Sequence, residues 1–199
     1  VSKPEITVVV PFHTHREVNG YLQRAVASIQ RQTMPDVQVI AIRDEERQGA
    51  PATRHAGLML VDTPWVAFLD SDDEMDPCHL ERIYACAQAT GADYVYPWFR
   101  VQGGSDPFPQ FFGQPWDNAQ PHQTTVVTLV RTELAQAVGF HDPSGKGNWP
   151  DGQQYGEDWL FTLGCMDKGA KIVHHPERTW TWHHHGANSS GMPGRGDAR

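Results

Sequence analysis

The sequence predicts an α/β domain with a mainly parallel central sheet flanked by helices. Three observations point there. Short apolar runs, "ITVVV" (6–10), "VQVIAI" (37–42) and "WVAFL" (65–69), have the near-continuous β-branched and aromatic character of strands covered on both faces. Segments with helical spacing separate them, and strand–helix alternation calls for crossover connections between parallel strands. The third run then enters "DSDDEMD" (70–76), an acid-rich stretch at the carboxyl end of a strand, where ligands bind in such sheets.

The elements follow in order. Pro11 closes the first strand. In "NGYLQRAVASIQRQ" Leu22, Val26 and Ile29 share one helical face while Arg24 and Gln30 lie off it. The second run reads as a buried strand ending at Arg43 and Asp44. "APATRHAGLMLVD" is helix-like, with Pro51 tolerated in its first turn. After the third strand, Asp76 and Pro77 are placed as N-cap and first helical residue. Leu80, Ile83, Tyr84 and Ala87 form the apolar stripe of that helix, and Gly91 stops it. Residues 102–122 and 141–156 read as long Gly- and Pro-rich loops, a length that in a compact domain marks function or mobility. A short helix with Leu134 and Val138 precedes Gly139, another runs from near Glu157 to Gly169, and the polar tail after Gly186 reads as mobile.

At 199 residues the chain is expected to be one domain, 1–199. Its formal charge of −8 argues against a nucleic-acid partner, because phosphate backbones need clustered Lys and Arg. A phosphorylated ligand is compatible with that charge when a divalent cation bridges the two. Cys78, Cys86 and Cys165 are odd in number and lack CxxC spacing, so they read as free thiols in a reducing compartment. No apolar stretch approaches the ~20 residues that span a bilayer. The N-terminal "VSKPEITVVV" lacks a signal-peptide pattern, and the expected location is cytoplasmic.

Asp70 and Asp72 flank one small residue at a strand end. Two carboxylates so placed repel one another and raise a pKa unless a cation lies between them. Oxygen ligands of this kind suit Mg²⁺ or Mn²⁺, which also take oxygens from substrate phosphates. Asp73 and Asp76 have the plainer reading of acids that solvate a turn and cap the next helix.

Beyond that pair, an ordered series of segments resembles the large family two of GT-A glycosyltransferases, inverting enzymes. "ITVVVPFHTHRE" resembles the family's opening strand and turn. "GAPATRHAGL" resembles G-x-x-x-A-R-N-x-G-I with His55 in place of Asn, and "FLDSDDEMDP" resembles F-L-D-x-D-D-x-x-x-P. "LVRTELAQAVGFHD" resembles the acceptor-side segment, and "YGEDWLFTLGCMDKGAKIVHHPE" resembles G-E-D-x-x-L-x-x-R-x-x-x-x-G. The resemblance covers about residues 6 to 190. It implies a single GT-A (Rossmann-like) domain with a nucleotide-sugar half (1–100) and an acceptor half (101–199).

The roles that follow are those the resemblance implies. Asp70 and Asp72 hold a divalent cation, Mn²⁺ or Mg²⁺, on the donor diphosphate, with Asp72 nearer the metal and Asp70 nearer the ribose; Ser71 between them belongs to the donor site. Asp44 reads the nucleobase, Arg54 lines the nucleotide site, and Pro11, His13 and Glu17 shape the base pocket. Asp158 is the catalytic base. The expected reaction moves a sugar from a nucleotide-diphosphate sugar, a UDP-sugar by family default, to the hydroxyl of an unknown glycan, protein or lipid-linked acceptor.

The run "TWTWHHHGANSSG" (179–191) matches a family pattern in which Trp182, His183, His185 and Ser190 fill the key positions. His185, and next His183, are candidate metal or phosphate ligands; imidazole suits Mn²⁺. Alternation in a strand would send both to one face and His184 to the other. The competing reading leaves these rings stacked on Trp180 and Trp182. For the aromatics of 108–116, stacking on a sugar, self-association into a homo-oligomer and a simple loop core stand as alternatives. The chain departs from the family between Asp44 and Gly49, where "RDEE" replaces D-D-G-S and a helix and strand are missing.

Other classes fit less well. A metal hydrolase built on the His cluster would want HExxH-type spacing. A sugar nucleotidyltransferase would show a Gly-rich phosphate loop after the first strand, yet no glycine occurs before Gly20. A degenerate carbohydrate-binding module predicts loss of an acid, whereas Asp70, Asp72 and Asp158 are all present.

Overall fold

The computed structural model describes residues 4–141 and 156–185. Most of the 141–156 loop, Ser190 and the tail after Gly186 lie outside them.

Apolar runs make the expected parallel core. β1 (Ile6–Phe12) is buried along almost its whole length and is flanked by β2 (Gln38–Arg43) and β3 (Trp65–Phe68), both parallel to it. β6 (Leu129–Arg131) then runs antiparallel between β3 and β5 (Tyr94–Gln102). Beyond β5 lies β7 (Ile172–His183), parallel to it, and the two-residue β4 (Glu74–Met75) closes that edge antiparallel. The sheet order is β2-β1-β3-β6-β5-β7-β4. The longer pairings are parallel and the short ones antiparallel, so the sheet is mainly parallel, as the runs predict.

Several local expectations are corrected. β2 mixes exposed and half-buried residues, because among the described residues it is the edge strand of the sheet. The first helical region divides into α1 (Thr14–Val18) and α2 (Tyr21–Gln30). Gly20 between them adopts φ 75°, a left-handed conformation that ends one helix and admits the next. α3 (Ala50–Leu58) starts just after Gly49, with Pro51 in its first turn as expected. α4 (His79–Thr90) begins later than Asp76–Pro77 implies. The Asp76 carbonyl accepts from the His79 amide, while its carboxylate takes the Arg100 guanidinium at 2.6 Å. Arg100 thus competes successfully with a capping role. Leu80, Ile83 and Ala87 are buried, and Gly91 ends the helix at φ 64°.

β5 escapes pattern reading because Pro97 interrupts it; the register with β7 slips there, a bulge that accommodates the missing donor. The 102–122 segment is largely exposed, but its aromatics Phe108, Phe111 and Trp116 pack against the core. Phe111 stacks on His122 with centroids 4.8 Å apart, and Trp116 meets Tyr96 edge-on. Phe112 is the exposed exception, with the Arg178 guanidinium 4.4 Å from its ring centre. The remaining helices, α5 (Thr132–Val138) and α6 (Glu157–Asp167), lie where the sequence places them. Cys78, Cys86 and Cys165 are free thiols, and among the described residues no helix is long and apolar enough to cross a membrane.

α3 reaches the sheet through Gly57. A Cβ there would stand 2.6 Å from Val9 Cγ1 and 3.1 Å from Ile42 Cγ2. Because β-branched neighbours in a sheet yield little, Gly57→Val is expected to lower stability by about 3 kcal/mol, the upper end for overpacking. Denaturant unfolding checks this; an unchanged midpoint would mean that α3 shifts freely on the sheet. That contact matters for the site, since it sets the position of Arg54 one turn earlier.

Candidate active site

The ends of β1, β3 and β7 and the starts of α1 and α6 converge through charged side chains. Arg54 is the centre. Its side chain is 2% exposed, and its fork donates to two motifs far apart in sequence: Nη2 to Asp70 Oδ1 at 2.6 Å and Nη1 to Glu157 Oε1 at 2.8 Å. The guanidinium also lies over Phe140, 5.2 Å from the ring centre. One planar cation therefore sets the separation of the D-x-D and E-D segments, a task that suits Arg because its donors are held in a rigid fork. Asp70 keeps one edge open to water. Even so, its pKa is raised, by desolvation first; Arg54 opposes this, and the charges of Asp72 and Glu157 reinforce it.

Asp158 opens α6 beside Glu157. Its carboxylate folds back so that Oδ1 accepts from the Trp159 amide at 2.8 Å. That fold explains the preceding glycine: a Cβ on Gly156 would sit 2.6 Å from Asp158 Oδ1. Burial, and then the Glu157 charge, push the Asp158 pKa up to about 6. The positive end of the helix would lower it, but desolvation wins. A carboxylate poised there is ionised at neutral pH yet far more basic than an ordinary aspartate, which is the condition for a general base.

Asp72 belongs to a second cluster. Its Oδ2 lies 2.9 Å from Arg16 Nη1 and 3.0 Å from His185 Nε2, and Arg16 Nη1 is 2.8 Å from that same imidazole nitrogen. Tyr21 forms the floor: its ring stacks on His185 at 5.0 Å and carries the Arg16 and Arg24 guanidiniums at 5.5 and 5.3 Å. Arg24 Nη2 holds the Asp72 carbonyl at 2.6 Å. The neighbouring acids are tied differently. Asp73 is buried and accepts from the His183 amide at 2.9 Å, pinning the end of β7. Its pKa is pushed well above the usual range by burial, then by Asp70 and Asp72. It is no solvated turn residue. Ser71, the residue between the two aspartates, is buried.

β7 ends at His183, so His184 and His185 follow the strand rather than extend its alternation. His183 and His185 reach acids, while the His184 ring packs edge-on against Trp182 at 5.6 Å. His183 Nε2, however, lies 2.9 Å from Glu74 Oε2, so the structure pairs it with Glu74 and places His185 against Asp72. Just after β2, both Asp44 oxygens accept backbone donors, Gln48 N and Gly49 N at 2.8 Å each. This shapes the shortened 45–49 turn at the end of β2. Glu17 pairs with Arg43, His13 stacks on His15, and Pro11 lies in β1 opposite Ile42. These groups lie at the β1–β2 end.

A divalent cation is implied by the family resemblance. Among the described residues no group of three or more His, Cys, Asp or Glu side chains stands in a metal-binding arrangement. The protein does bring together a carboxylate oxygen and an imidazole nitrogen, a donor pair of the type Mn²⁺ accepts. Sequence reasoning missed Arg16, Tyr21, Arg24 and the part played by Glu157. Glu157 lay inside a quoted motif. For the arginines the available signal was the excess of acids at 70–76, which demands cations from elsewhere in the chain.

The chain is similar to several known proteins. Residues 36–132 match the family model described as Glycosyl transferase family 2, a span that includes Asp44, Arg54, Asp70 and Asp72 and stops short of Asp158 and His185. The chain is 34% identical over 136 residues to the succinoglycan biosynthesis protein ExoW of Rhizobium meliloti (strain 1021), covering 55% of this chain and 41% of that protein. It is 23% identical over 162 residues to ExoO of the same strain, covering 75% and 46%. Its fold matches S. aureus TarS 1-349 in complex with UDP-GlcNAc at TM-score 0.75 and 16% identity, over 92% of this chain and 60% of that one. The chain thus spans less than half the length of the two curated relatives it matches.

Proposed function

We propose that this chain, a member of glycosyltransferase family 2 with a GT-A fold, moves a sugar from a nucleoside-diphosphate sugar to an acceptor hydroxyl with inversion at the anomeric carbon. The observation that carries the reading is the Arg54 fork, which joins the D-x-D acid Asp70 to the E-D acid Glu157 and so assembles one site from segments some ninety residues apart in the chain. A UDP-sugar is the favoured donor; the TarS structure in complex with UDP-GlcNAc supports it. The names of the succinoglycan biosynthesis proteins support a carbohydrate acceptor. The free cysteines support a cytoplasmic setting.

In this mechanism the acceptor hydroxyl oxygen forms the new bond to the anomeric carbon as the bond to the diphosphate oxygen breaks. The electron pair leaves with the nucleoside diphosphate, and the hydroxyl proton goes to Asp158. Arg54 holds Glu157 and with it the start of α6, so that Asp158 faces the reacting centre rather than solvent. Asp70, fixed by the other arm of Arg54, is the acid for the donor ribose. Asp44 and the turn it shapes, together with Pro11, His13, Glu17 and Ser71, form the base-side wall. Asp72 and His185, with Asp70 nearby and His183 behind on Glu74, would hold Mn²⁺ or Mg²⁺. When bound, that ion supplies Lewis-acid stabilisation of the charge that grows on the departing diphosphate.

Thermal unfolding with UDP, GDP and dTDP, each with and without Mn²⁺, tests the donor site. A ligand that binds only the folded state raises the midpoint by mass action. UDP with Mn²⁺ is expected to raise it most, and more than either alone. Stabilisation by Zn²⁺ alone, with no response to any nucleotide, would replace the transferase reading by one centred on the histidines.

A further inference from the structure

We propose that Arg16 is a built-in cation that occupies the Asp72–His185 pair and must be displaced for a divalent cation to bind there. The inference rests on the metal-dependent reading above and concerns what the chain itself does at that position.

The geometry is compact. Arg16 Nη1 lies 2.8 Å from His185 Nε2 and 2.9 Å from Asp72 Oδ2, so one guanidinium nitrogen touches both groups. Asp72 Oδ2 and His185 Nε2 themselves stand 3.0 Å apart. Their spacing also matches that of adjacent corners of an octahedron with bonds of about 2.1 Å, the geometry Mg²⁺ demands. Arg16 thus holds a carboxylate and an imidazole at the separation a hard divalent ion requires, while neutralising the acid in its absence.

The surroundings are built for exchange. Arg16 is buried, its side chain 7% exposed, although it comes from a helix of five residues. Tyr21 supports both the guanidinium and the imidazole from one face. Arg24 grips the Asp72 carbonyl rather than its carboxylate, so the backbone of Asp72 stays fixed when Arg16 leaves. A donor diphosphate offers the displaced guanidinium a new anion. Metal and donor are then expected to bind together, and the metal alone weakly.

Manganese binding measured by the electron paramagnetic resonance of free Mn²⁺, with and without UDP, tests this without reference to turnover. Arg16→Gln is expected to tighten binding of Mn²⁺ alone by roughly 10-fold to 100-fold, the range of an ordinary coupling between competing ligands. Arg24→Gln removes the same charge from the same neighbourhood without vacating Asp72 Oδ2, and is expected to change it far less. Thermal unfolding of each variant confirms that it is folded; Arg16→Lys, which keeps the charge, is expected to bind Mn²⁺ more weakly than Arg16→Gln. Equal affinities in the wild type and Arg16→Gln would overturn the proposal, as would equal gains from Arg16→Gln and Arg24→Gln. If Asp72→Asn abolishes Mn²⁺ binding in either case, the metal site itself stands. Absence of binding in every protein, with UDP present, would overturn both the proposal and the metal-dependent reading.

Discussion

Asp158→Asn is expected to lower turnover by between about 100-fold and 10,000-fold, the usual contribution of a positioned general base, while leaving donor affinity unchanged. Asn keeps the oxygen that accepts from the Trp159 amide at 2.8 Å, so the start of α6 is retained and only the proton acceptor is lost. The wild-type rate is expected to depend on pH through this one group. With a pKa of about 6, the carboxylate is ionised at pH 7.5 and protonated at pH 5. Turnover should therefore fall about tenfold for each unit below pH 6 and level off above pH 7. The same substitution carries a second signature. Because the folded-state pKa lies above that of the unfolded chain, the ionised carboxylate destabilises the fold at neutral pH; this effect begins to shrink as pH falls through about 6 and is gone only below the ordinary value of 3.8. Asp158→Asn is thus expected to raise the melting temperature at pH 7.5 as it removes activity. A structural residue would lose both together. Full turnover in Asp158→Asn would remove Asp158 from the mechanism.

Arg54→Met is expected to have the largest effect on stability. It leaves Asp70 and Glu157 facing each other without the guanidinium that both now bind. Removing one member of a buried ion pair typically costs 3–5 kcal/mol. The lower end applies here, about 3 kcal/mol, since Asp70 and Glu157 keep access to water, with side chains 40% and 25% exposed. For a domain of this size that corresponds to a fall in melting temperature of roughly 6–12 °C. Two further variants separate charge from geometry. Asp70→Asn in the Arg54→Met background is expected to recover part of the loss by removing one unpaired charge. Arg54→Lys keeps the charge but cannot fork to both acids, so it should preserve more stability than activity. If Arg54→Met melts within a degree of the wild type, the two motifs are not held together by this residue.

Much of the candidate site was legible because its members are local. Asp70 and Asp72 follow a buried strand directly, and Glu157 and Asp158 open a helix after a glycine; each needs only a few residues of context. Arg54 was legible through the resemblance, but its role as the tie between the two acid motifs was not, because Asp70 and Glu157 are distant in the chain. Arg16 was passed over between His13 and Glu17 for the same reason: its partners, Asp72 and His185, arrive from β3 and from beyond β7. Asp73 misled in the opposite direction. An acid in an acid-rich turn ordinarily faces water, and only the return of β7, whose His183 amide it accepts, takes it inside. Pro97 hid β5 because a strand proline argues against a central strand unless a bulge is present, and the bulge depends on the partner.

The sequence by itself determined the strands β1 and β3, the helices between and after them, and the position of the acids at a strand end, and it carries the ordered motifs behind the family resemblance. Those properties follow from side-chain periodicity, backbone preferences and short motifs, all local quantities. Only the tertiary structure decided which cation meets which acid: Arg54 with Asp70 and Glu157, Arg16 with Asp72 and His185, Arg100 with Asp76. The chain carries more acids than bases, so several pairings are compatible with its composition. Electrostatic energy falls with distance, and distance between residues far apart in sequence is fixed by how strands and helices pack.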